Sequence, residues 1–138
     1  MIGKSNIQKN IKFWVDTSDK DYDTMINLYK SKDYNWSLFI GQIVIEKLLK
    51  ACIVIKTKQY APYIHDLLDL AEIAKIKFSK QQNDWLYEIT KFNLDARYDS
   101  ENMKFYKKCT YEYTTKWIDN ILKLRLYIKT KHLNSKKI

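Results

Sequence analysis

Four short patterns hold most of the residues in this chain that could do chemistry: Trp14 with Asp21-Tyr22, Glu46-Lys47-x-x-Lys50-Ala51, Pro62-x-x-His65-Asp66-Leu67, and Ala96-Arg97-Tyr98. Histidine exchanges a proton near neutrality, and arginine is a permanent cation whose planar fork fits phosphate. The two histidines, His65 and His132, lie in different segments. Next to Asp66 and just after Pro62, His65 reads as a helix N-terminal cap or a packed polar residue before it reads as a catalyst. Gln42, Glu46 and Lys50 recur at four-residue steps, so Glu46, Lys47 and Lys50 read as a solvated or interface stripe, with Glu46 able to line the same groove as Arg97. Arg97 itself is either the interhelical partner of an acid such as Glu46 or Asp95, or a functional cation. Among the aromatic residues, Tyr34, Tyr98 and Tyr106 fall near helix ends, where they could stack on bases or be modified. Cys52 and Cys109 lack metal-ligand spacing and read as buried small apolar residues. With glycine only at positions 3 and 41, no glycine-rich phosphate loop exists, which argues against a triphosphatase of that kind.

The elements that must carry these residues are helical. The chain has 138 residues, 46% apolar and 30% charged, with 2 Gly and 1 Pro against 11 Tyr, 4 Trp and 5 Phe. That is enough for one core and too poor in turn residues for a many-stranded sandwich. Apolar periodicity predicts five helices: about Ile7 to Ser31, Asn35 to Lys58, Asp66 to Ile76, Lys80 to Leu94 with Ser79 as N-cap, and a last one beginning between Asn102 and Lys108. The second is apolar around most of its circumference and belongs at the centre. The fold class expected is therefore all-α, an up-and-down bundle of one domain over residues 1–138, with its core at about 7–130 and a basic tail at 131–138. No stretch approaches the roughly 18 apolar residues of a membrane span, and no secretory signal pattern opens the chain, so the expectation is a cytoplasmic protein with no membrane association. The net charge of +9 is uneven: residues 101–138 hold 10 basic and 3 acidic groups. That end, with Lys129, Lys131, Lys136 and Lys137, would attract polyanions in a salt-sensitive way.

In order and spacing, the long first helix, the Gln42-x-x-x-Glu46-Lys47-x-x-Lys50 helix, Pro62-x-x-His65-Asp66-Leu67 and Arg97-Tyr98 resemble the HEPN domain, the higher eukaryotes and prokaryotes nucleotide-binding domain, over about residues 7 to 130. The resemblance implies a helical bundle that commonly dimerises. It also implies kinship with ribonucleases of toxin and defence systems, and with stand-alone members encoded beside a minimal nucleotidyltransferase. Ribonuclease members use an Arg followed by four to six residues and a His, paired across a dimer. Arg97 matches that Arg, but the matching positions are Asn102, Met103 and Lys104. Asn102 can hydrogen-bond a phosphate but cannot exchange a proton, and Lys104 could do so only with a strongly depressed pKa. The resemblance therefore implies a catalytically degenerate dimer that binds a nucleotide, RNA or a nucleotidyltransferase, one half of a toxin-antitoxin or defence pair. Its binding residues would be Glu46, Lys47, Lys50, Tyr98 and Lys104, with no cofactor and no metal. The alternative is a metal-independent ribonuclease toxin using Arg97 and Asn102 at the dimer interface.

Overall fold

The computed structural model describes residues 3–133. Within them the order is α1 (Lys4–Lys30), α2 (Tyr34–Thr57), α3 (Leu67–Ala74), α4 (Lys80–Arg97), α5 (Lys104–Lys108) and α6 (Tyr111–Ile128), followed by a π-helical turn at Lys129–Leu133. No helix among these residues is long and apolar enough to cross a membrane.

The contacts between helices give the directions. Ser18 Oγ of α1 donates to the Val44 carbonyl of α2 at 2.8 Å, and Ser37 Oγ of α2 donates to the Met25 carbonyl of α1 at 2.8 Å. As one partner's number rises the other's falls, so α1 and α2 are antiparallel. The same holds for α2 and α4, where Gln42 meets Asn93 and Phe39 meets Arg97. It holds again for α1 and α6, through Tyr29 with Thr115 and Asp19 with Arg125. The four long helices thus form an up-and-down bundle, with α3 and α5 as single short insertions.

Helix α2 is the centre, packed by α1, α3, α4 and α6. Its buried set runs almost without interruption from Val44 to Val54, as its apolar circumference requires. Gly41 is what lets α6 and α1 come so close: a Cβ there would stand 2.5 Å from Ile121 Cδ1 and 3.1 Å from Met25 Sδ. From Val44 to Val54, α2 turns its apolar surface inside the monomer, whereas nearer its N-terminus Trp36 stays exposed.

One expectation needs correction. The last predicted helix is two, α5 and α6, so there are six α-helices among the described residues. Thr110 separates them, its hydroxyl accepting from the Tyr113 amide at 3.2 Å as the N-cap of α6. The regular stripe of Tyr113, Trp117, Ile121, Leu124 and Ile128 belongs wholly to α6, whereas α5 is a single turn that buries only Phe105. Beyond α6, Leu133 is buried in the π-helical turn. Lys129 is tied to Asp19 at 2.8 Å, while Lys136 and Lys137 lie outside the described residues. Ser79 caps α4 as expected, with a reciprocal bond from its own amide to the Gln82 side chain.

Candidate functional site

Arg97 is the last residue of α4. Its Nε donates to the Asn93 carbonyl at 3.1 Å and its Nη2 to Asn93 Oδ1. The guanidinium also lies over the rings of Tyr98 and Phe39, at 5.2 and 5.9 Å from their centroids. The expected pair with Glu46 or Asp95 is not formed. Asn93, one turn earlier, takes that place and passes the contact inward.

From Asn93 a continuous polar row crosses the bundle. Asn93 Nδ2 donates to Gln42 Oε1 at 2.8 Å, and Gln42 Nε2 donates both to Glu46 Oε1 and to the His65 carbonyl, each at 3.0 Å. Glu46 Oε1 also meets His65 Nδ1 at 3.0 Å, while Glu46 Oε2 pairs with Lys50 Nζ at 3.1 Å. Lys50 lies over the Trp14 ring at 5.4 Å. Of Glu46, Lys47 and Lys50, read as a solvated or interface stripe, Glu46 and Lys50 are not solvated: both are buried, as is Gln42. Burial of an ion pair is tolerated only when the remaining lone pairs find donors, and Gln42 and His65 supply them. Lys47 points the other way and pairs with Asp21 at 2.7 Å.

His65 is not a cap. Asp66 does that work, its Oδ1 accepting from the amides of Leu68 at 2.9 Å and Asp69 at 3.2 Å. The His65 side chain is 69% exposed and anchored by Nδ1 to a carboxylate that is 9% exposed. Among the described residues its Nε2 makes no hydrogen bond. Neither this pair nor the part of Asn93 is legible from spacing, because the partners lie on different helices and loops.

A second neighbourhood surrounds α5. Tyr98 and Lys104 line one cleft of about 360 Å³ together with Lys108, Asp95, Asp99, Ser100 and Phe105. On the other side, Tyr34 and Tyr106 line a cleft of about 270 Å³ with Lys32 and Lys107. The Asp99 carboxylate is spoken for: it accepts from the amides of Ser100 at 2.8 Å, Phe105 at 2.9 Å and Tyr106 at 2.9 Å. Partial desolvation acts to raise the Asp99 pKa, yet these three donors outweigh it and hold the carboxyl below its ordinary range. In the tyrosine cluster of Tyr34, Tyr29 and Tyr111, desolvation and its neighbours raise the Tyr34 phenol. Asn102 sits exposed in the turn between α4 and α5 and makes no hydrogen bond among the described residues. Neither Arg97 nor Asn102 lines the Tyr98 cleft.

Both cysteines are free and buried, and burial pushes each thiol up to about 12. Among the described residues no group of three His, Cys, Asp or Glu side chains could hold a metal ion.

The profile of the HEPN domain matches residues 11–131. Comparison with curated proteins and with solved structures gives no match.

Proposed function

The chain belongs to the HEPN domain family, a nucleotide-binding or ribonuclease-type module, and from that premise we propose that it is a dimer that binds RNA or a nucleotide. In this reading it partners a minimal nucleotidyltransferase, as one half of a toxin-antitoxin or defence pair. The observation that carries the reading is the pairing of tyrosines with lysines in the two clefts flanking α5. Exposed tyrosine rings give bases a sequence-tolerant stacking surface, and lysines beside them hold phosphates without reading sequence. Tyr98 is 72% exposed and Tyr106 is 54% exposed, so both rings are open to a base. The family's arrangement of Arg with a following His is degenerate here, because Asn102, Met103 and Lys104 stand where that His would be. Next to Arg97, the exposed Trp36 packs edge-on against Phe39, an apolar patch suited to the dimer contact.

Fluorescence anisotropy with a labelled single-stranded RNA, at near-physiological salt, tests this. Loss of one stacked base costs about 1 to 3 kcal/mol. The Tyr98→Ala, Lys104→Ala double variant should therefore bind at least about tenfold more weakly. Unchanged affinity refutes the cleft. Co-expression with a nucleotidyltransferase encoded beside it should give a complex that survives purification, and two proteins that separate on purification refute that partnership.

A further inference from the structure

The two clefts beside α5 differ in charge. In the first, Lys104 and Lys108 stand with Asp95 and Asp99, so the formal charges cancel. In the second, Lys32 and Lys107 stand with no acidic residue in the lining. Both of these lysines are exposed, and among the described residues neither pairs with an acid. The Asp33 carboxylate, next to Lys32 in sequence, accepts from Ser31 Oγ at 2.6 Å instead. Helix α5 separates the clefts and feeds both, giving Lys104 and Lys108 to the first and Tyr106 and Lys107 to the second. Its amides at Phe105 and Tyr106 are already taken by Asp99, so a phosphate here meets lysine side chains and not the helix end. The same two bonds, with the buried Phe105 ring, hold the turn against the bundle. A helix with its side chains is about 10 to 12 Å across, so one nucleotide cannot occupy both clefts, whereas a strand of several can.

We propose that a single strand of RNA lies across α5, with one unpaired base on the Tyr98 ring in the first cleft and its phosphates on Lys32 and Lys107 in the second, where Tyr106 stacks a further base. The proposal rests on the RNA-binding reading above and narrows its ligand to a strand of several unpaired nucleotides. The division of charge sets the two roles. Two uncompensated lysines draw phosphate, while a cleft of no net charge admits a base without drawing a phosphate in after it. The tyrosines set the form of the strand. A base inside a duplex has both faces covered by its neighbours, so rings that bind by stacking select unpaired strands.

The test titrates the full chain against a fluorescein-labelled oligouridine of about eight nucleotides, a length within the usual range of single-strand sites, over a series of salt concentrations. Each phosphate neutralised on a single strand contributes about −0.7 to the slope of log K against log salt. The Lys32→Gly, Lys107→Ala double variant should therefore flatten that slope by about 1.4. Glycine suits the left-handed backbone at position 32, where φ is 68°, and Lys107 is exposed, so this variant keeps the fold. Tyr98→Ala should weaken binding at least about fivefold at fixed salt and leave the slope as it is. A blunt, GC-rich duplex should fail to displace the labelled strand at a concentration where unlabelled oligouridine displaces it. An unchanged slope in the lysine variant, displacement by the duplex, or uridine monophosphate binding as tightly as the oligomer overturns the strand across α5 and leaves the binding reading standing. Absence of binding, or Tyr98→Ala binding as wild type does, removes both.

Discussion

Asp99 shows how one side chain can hold an element in place. It collects three backbone amides, two of them from α5, and these donors keep its carboxyl below the ordinary aspartate range. A native pKa lower than the unfolded one means the folded chain binds fewer protons, so the stabilisation is present above the unfolded value of about 3.9 and is lost as pH falls through the native value. Asp99→Asn should therefore lower the melting temperature at neutral pH, and scanning calorimetry should show the gap to wild type closing in acid. A gap that is constant with pH would remove the carboxylate from the argument. At this scale the sequence was informative about residue types and poor about partners. The four-residue spacing of Gln42, Glu46 and Lys50 is visible in the sequence, but a stripe reveals which residues share a side, not what covers that side. Asn93, 51 positions from Gln42, carries no local signal of its role, and neither does the meeting of His65 with Glu46 across the loop that holds Pro62. Arg97 was legible only as a position in a pattern.

Helices here end without glycine. Lys32, Lys58 and Lys75 close α1, α2 and α3 in the left-handed region, with φ of 68°, 60° and 55°. At Lys75 the amide bonds to the Glu72 carbonyl at 3.0 Å and the Ile76 amide to the Ala71 carbonyl at 3.1 Å, the two bonds of a Schellman end. A side chain with a Cβ pays for that conformation, and glycine does not. Lys75→Gly should stabilise the protein by about 0.5 to 1 kcal/mol after the extra freedom of the unfolded glycine is offset. Urea denaturation measures it, and a loss of stability would show that the lysine side chain contributes more than its backbone costs. The long helices were legible because each repeats an apolar face for several turns, and Ser79 because its hydroxyl precedes such a face. Helix α5 was not, since one turn holding only Phe105 inward is too short to show a period.

Across the molecule, charge and exposed apolar surface meet at the end that carries α5. The clefts around α5 carry lysines, and the patch of Trp36 and Phe39 adjoins them through Arg97, which lies over both Phe39 and Tyr98. The proposed dimer makes a direct demand: light scattering at micromolar concentration should give twice the chain's 16.7 kDa. The mass of a single chain refutes it. The central position of α2 was readable from its composition, whereas the exposure of Trp36 near its start was not, because composition does not count neighbours. That position has a consequence for how the protein is made. The ribosome delivers α1 and α2 before α3, α4 and α6, and of these four neighbours of α2 only α1 is then available to cover it. Until α3, α4 and α6 emerge, the nascent chain leaves part of the apolar circumference of α2 open to water, and apolar surface left open during synthesis is what chaperones bind and aggregates grow from.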